Sequence, residues 1–137
     1  MGERSYRGHV GIGKLVTGIA LVAEDDFSAR YDLDRIKGVF SRPAHALCGE
    51  GYVGKILVLN TAKGGVASSW MLREMASRDM APAALLLNSA NPIMAQGAAF
   101  ASLPFMDRFE TNITHAIQSG ERVTVDPAAG LVTVHGD

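Results

Sequence analysis

The sequence predicts a mixed α/β fold in a single domain over residues 1–137, with parallel crossover units at the centre of a mixed sheet and β-rich ends. Three observations carry this. "GKILVLN" and "AALLLN" are near-continuous apolar runs of strand length, the pattern of strands covered on both faces. Each run leads into a segment of helical spacing, and strand, helix, strand, helix in succession implies parallel crossovers. "RVTVDPAAGLVTV" alternates around a Pro-Ala-Ala-Gly turn, which marks an antiparallel pair with one covered face.

Taken in order, "RSYRGHVGIG" reads as an amphipathic, partly exposed strand and "TGIALVA" as a second strand carrying Thr17, Ile19, Leu21 and Val22. "DDFSARYDLDRIKGVF" reads as extended pieces around a turn at Asp32-Leu33-Asp34, although Leu33, Ile36 and Phe40 also fit one helical face. "RPAHALCGEGY" is rich in turn formers and reads as a loop into the central strand "GKILVLN". The following helix is expected to start near Ser68 or Ser69, with Trp70, Met71, Leu72 and Met75 on its apolar side and Arg73, Glu74 and Arg78 opposite. "MAP" breaks that pattern before the strand "AALLLN". "SANPIMAQGAAFAS" is then a helix with Pro92 in its first turn, where a missing N–H matters little. "LPFM" is a short strand, "FETNITHAIQSG" a helix ended by Gly120, and the two alternating strands follow.

With 137 residues, 47% of them hydrophobic and 20% charged, the chain can bury a real core. A net charge of -1 with scattered basic residues leaves no footprint for nucleic acid or an anionic membrane. The apolar runs fall short of the roughly 20 residues that span a bilayer, and a cytoplasmic location is expected. The single cysteine, Cys48, excludes an internal disulfide. An iron-sulfur cluster normally takes three or four thiolates, so any cluster this chain works with would sit on another chain.

The stretch "NTAKGGVASSWMLREM", Asn60 to Met75, places Lys63, Gly64, Gly65, Ser68 and Ser69 between a strand and a helix. Glycines permit close backbone approach, the first N–H groups of a helix lack internal partners, and the macrodipole favours an anion there. Lys63 adds a full positive charge, so the turn can hold a carboxylate or phosphate. The same residues also suit a simple connection in which Ser68 caps the helix and Lys63 faces water. The turn lacks the Gly-Lys-Ser/Thr ending of a Walker A loop. His9, His45, His115 and His135 are dispersed without metal-ligand spacing, which favours structural or surface roles. Cys48 suits a small buried or loop residue. Asp107-Arg108 follows the short "PFM" strand where α/β ligands bind, and also suits a local ion pair.

Ordered along the chain, "GKILVLN", the Gly/Ser turn, "PAALLLNSANPIMAQGAAFASLPFMDRF" and "GERVTVDPAAGLVTV" resemble the small subunit of the aconitase X family from about Gly11 to Val134. The resemblance implies a swivelling β/β/α domain and half of a hydro-lyase active site, inactive alone. An aconitase-like large subunit would bear the iron-sulfur cluster and most substrate contacts, and this chain would bind no cofactor or metal by itself. The implied reaction is loss of water from a small hydroxy acid at the subunit interface. A cis-3-hydroxy-L-proline-type substrate is preferred and mevalonate 5-phosphate is the alternative.

The same resemblance assigns a catalytic serine to the turn. Many relatives have a Gly-Arg-Gly-Ser-rich turn, whereas Gly65, Val66 and Ala67 stand here where the first serines would fall. Ser68 is then the expected base and Ser69 the second candidate, with Lys63, Gly64 and Gly65 as carboxylate or phosphate binders. Lysine in place of arginine keeps the charge and loses bidentate recognition. A noncatalytic binding or regulatory swivel domain is the competing reading. "GGVASSWML" is also similar to the turn of phosphohistidine swivel domains, but Ser69 occupies the histidine position, and without that histidine no phosphoryl group is carried in the usual way.

Overall fold

The structure, a computed structural model, describes residues 3–26, 32–61, 66–89 and 92–135. The strands are β1 (Arg4–Arg7), β2 (Val16–Val22), β3 (Leu33–Asp34), β4 (Val39–Phe40), β5 (Ile56–Thr61), β6 (Ala84–Ser89), β7 (Phe105–Met106), β8 (Arg122–Asp126) and β9 (Leu131–His135). Helix α1 (Val66–Ser77) links β5 to β6, α2 (Pro92–Phe100) links β6 to β7, and α3 (Ile113–Ala116) precedes β8. Seven strands form one mixed sheet in the order β1-β9-β8-β2-β5-β6-β7. β2, β5, β6 and β7 run parallel, and β8, β9 and β1 extend the sheet from β2 antiparallel.

Burial explains this arrangement. Ile56 to Leu59 and Ala84 to Leu87 are buried without interruption, because the parallel half is covered on both faces. On one face Leu57, Leu59, Leu85 and Leu87 meet Leu72 and Met75 of α1 and Ala98 of α2. On the other, Ile56, Val58, Ala84 and Leu86 meet Val123, Val125, Val132 and Val134, with Ile113 and Ile117 beside them. The antiparallel end therefore curls over the parallel half, giving β, β and α layers. β8 and β9 each bury alternate residues, as one-face-covered strands do. Segment 7–12 joins the outer edges: Ile12 and Phe105 exchange both backbone bonds (2.9 and 2.8 Å), and His9 donates to the Asp107 carbonyl (3.1 Å).

Five expectations change. Helix α1 begins at Val66, ahead of Ser68 and Ser69, so Ser68 lies inside the first turn and is not the residue that caps it. Trp70 is 62% exposed, with the Arg73 guanidinium over its ring, and the inward face belongs to Leu72 and Met75. Leu33 and Asp34 are strand, and the turn falls on 35–38, where Asp34 accepts the N–H groups of Ile36 and Lys37 and Gly38 takes φ +74. α3 stops at Ala116 instead of reaching Gly120, because Ile117 is extended and turns its side chain into the same core as Ile113. The first strand is also shorter than expected, ending at Arg7 where the edge-joining segment begins.

Tyr52 is fully buried in edge-on contact with Phe40, and its hydroxyl has no hydrogen-bond partner among the described residues. Burial pushes its pKa up. An unpaired buried hydroxyl carries a desolvation penalty, so Tyr52→Phe should leave stability unchanged or raise it by up to about 1 kcal/mol, read as the urea midpoint. A drop in the midpoint would mean that the hydroxyl is paired after all.

Candidate active site

All four parallel strands end at one edge of the sheet, the edge at which open α/β sheets bind ligands. β5 ends in Asn60-Thr61 and β6 in Asn88-Ser89, and the pairing of Leu59 with Leu87 and of Thr61 with Ser89 puts the two asparagines side by side. The Asn88 amide donates to the Asn60 side-chain oxygen (3.1 Å) and to that of Asn112 (2.8 Å), which caps α3. Asn60 in turn donates to Asp26, just beyond β2 (3.2 Å). A row of polar side chains thus crosses the edge from β2 to α3.

Asp25 anchors the β2 end of that row. Its carboxylate accepts the N–H groups of Ala46 (3.1 Å) and Asp26 (2.8 Å), and its carbonyl accepts that of Asn60 (2.8 Å). Partial burial acts to raise its pKa, but the two N–H groups outweigh that and hold the carboxyl below the usual range. Behind it, His45 is buried and stacked on Phe40 (4.6 Å). Its Nδ1 accepts the Leu47 N–H (3.0 Å), so Nε2 carries the proton and donates to the Asp26 carbonyl (2.8 Å). This histidine is structural, bracing residues 25 and 26 from below.

Helix α1 enters at the same edge. The backbone of Ser68 and Ser69 occupies its first turn, where N–H groups lack intrahelical acceptors and no acidic residue offsets the dipole. Helix α2 likewise begins, at Pro92, with no acidic residue in its first turn. Lys63, Gly64 and Gly65 lie outside the described residues. Asp107 and Arg108, beyond β7, form a local ion pair (3.5 Å). His115 pairs with Glu24, and His135 lies between Glu3 and Thr124. Cys48 is exposed among the turns of residues 41–50, a loop residue and not a buried one. Among the described residues no cluster of three or more metal-ligating side chains occurs. One exposed thiol cannot supply the ligands of an iron-sulfur cluster, so the donors of this chain do not fit that group.

Asp25, Asp26, Asn60, Asn88 and Asn112 were not singled out by the sequence reading. The signal was present in the paired strand endings "VLNT" and "LLNS", which repeat Leu-Asn-hydroxyl at two adjacent strand ends.

The aconitase X swivel domain family profile matches residues 5–134. The phosphomevalonate dehydratase small subunit of Methanocella arvoryzae is 35% identical over 92% of this chain and 96% of its own length. That of Methanococcoides burtonii is 33% identical over 84% of each. In three dimensions the chain superposes on Thermococcus kodakaraensis aconitase X in its holo-form with a TM-score of 0.90 at 24% identity, covering 97% of this chain and 99% of the other. No helix among the described residues is long and apolar enough to cross a membrane.

Proposed function

The chain belongs to the aconitase X swivel-domain family, as a dehydratase small subunit, and we propose that its α1 start presents a catalytic serine to a substrate bound by an aconitase-like large subunit. The observation that carries this reading is the first turn of α1, with Ser68 and Ser69 in it, at the carboxyl edge of the parallel strands. Removing water from a hydroxy acid requires abstraction of a proton beside a carboxylate and breaking of the C–O bond at the neighbouring carbon, whose hydroxide leaves on the large-subunit side and would be assisted there by a Lewis acid. A serine oxygen takes that proton only when its anionic form is stabilised, and unpaired helix N–H groups and the dipole do this. Lys63, Gly64 and Gly65 precede the helix and are the proposed binders of the substrate carboxylate. The iron-sulfur cluster belongs to the large subunit in this reading, and the substrate lies between the two chains.

The leading substrate is a cis-3-hydroxy-L-proline-type acid. A zwitterion suits an edge that combines two helix starts free of acidic residues in their first turns with the acidic residues Glu24, Asp25 and Asp26. Mevalonate 5-phosphate is the second reading, favoured by the names of the relatives from Methanocella arvoryzae and Methanococcoides burtonii. Co-expression with an aconitase-like large subunit should give a stable complex that dehydrates one of these two acids, while this chain alone has no activity. Failure to bind any such large subunit would overturn the proposal, and the better substrate decides between the readings.

A further inference from the structure

We propose that Asn88 is a positioning residue of this site, fixing the strand end from which α1 departs relative to β7 and α3. Its side-chain nitrogen donates to Asn60 Oδ1 (3.1 Å) and Asn112 Oδ1 (2.8 Å), and its side-chain oxygen accepts the Ile113 N–H (2.8 Å). Its carbonyl accepts the Arg108 N–H (3.0 Å). The amide has one orientation: turned over, it would set oxygen against two oxygens and NH2 against an N–H. Four segments that leave the same edge, after β5, β6 and β7 and into α3, are thereby tied to one residue.

Stability alone does not account for this arrangement. Asn60 and Asn112 are exposed, and hydrogen bonds between neutral amides open to water contribute little net free energy. Their consequence is geometric. Asn60 stands six positions before Val66, and the Asn88 amide prevents the β5 end from sliding along β6. The residue touches no reacting atom in this scheme and acts through the placement of the first turn of α1. This inference rests on the dehydratase reading for its catalytic consequence, but not for its structural one.

The test uses the assembled two-subunit enzyme. Asn88→Leu and Asn88→Asp should each lower kcat by about 10-fold or more with KM within about 2-fold, because a misplaced group slows chemistry without weakening substrate contacts made elsewhere. Only Asn88→Asp should regain activity, relative to the unaltered enzyme, as the pH falls from about 8 to about 6, because a carboxyl flanked by acceptor oxygens is driven to its protonated, donating form. Asn60→Ala, at an exposed position, breaks the same bridge from the other side and should show a smaller kcat loss. In parallel, hydrogen exchange on the small subunit should speed up at Thr61 and across the second turn of α1, residues 70–73, whose N–H groups are bonded within the helix, in Asn88→Leu, with Val123 and Val134 unchanged. Unaltered kcat in Asn88→Asp and Asn60→Ala, a loss that merely follows dissociation of the subunits, or unchanged exchange at α1 would each overturn the inference. Absence of dehydratase activity in the unaltered complex would instead remove the functional reading, and the exchange measurement would still decide the role of Asn88.

Discussion

In the assembled enzyme, Ser68→Ala is expected to reduce turnover by about 10³-fold or more while leaving complex formation and the unfolding midpoint unchanged, and Ser69→Ala is expected to do much less. The magnitude is that of removing a proton-transferring group for which water is a poor substitute. Selectivity between the serines follows from the helix. Consecutive residues are about 100° apart around the axis, so one hydroxyl facing the partner turns the other well aside. Ser68 is the third residue of α1 and Ser69 the fourth, both within the turn whose N–H groups lack acceptors. Alanine is the best helix former, so neither change should weaken α1. The assay is steady-state turnover of each variant complex at equal subunit concentration. A large loss for Ser69→Ala alone would transfer the role to Ser69. Full activity in both would sink the catalytic reading and favour a noncatalytic binding or regulatory domain.

That the serines are inside the helix bears on what the sequence could reveal. The apolar runs of β5 and β6 fixed the parallel centre because only strands covered on both faces read that way, and the alternation of β8 and β9 fixed the antiparallel end. The start of α1 was less legible. Serine is a strong capping signal and drew the expected start to 68–69, whereas the helix already runs from Val66. Trp70 misled for a related reason: moving the helix start changes no spacing, yet which face meets the sheet depends on the crossover, and Leu72 with Met75 took it. α3 was overextended because its apolar spacing, Ile113 to Ile117, is satisfied equally by a single turn followed by an extended residue. The polar row at the carboxyl edge was legible only in hindsight. Asn60 and Asn88 lie 28 positions apart and become neighbours through parallel register, which no local pattern encodes.

Gly11→Ala should destabilise the chain by about 3 kcal/mol, among the larger effects of any single methyl group. A Cβ at position 11 would lie 2.0 Å from the Phe105 carbonyl oxygen and 2.9 Å from Met106 Cγ. The methionine side chain can move, but the carbonyl cannot. It accepts the Ile12 N–H at 2.9 Å, and the Phe105 N–H returns the bond at 2.8 Å, so relief requires opening the bridge that joins segment 7–12 to β7. Gly11 itself donates to the Pro127 carbonyl (2.9 Å), which ties the same segment to the β8–β9 turn. Displacing it therefore loosens both edges of the sheet over the buried layer of Val132, Val134 and Met106. Gly51→Ala is the control, since its nearest obstacle is the Gly38 carbonyl at 3.8 Å, an ordinary contact. It should stay within about 1 kcal/mol of the unaltered chain. Denaturant midpoints of the two variants measure the difference. Equal midpoints would show that segment 7–12 yields without loss, and that the curled sheet is held by its valine layer alone.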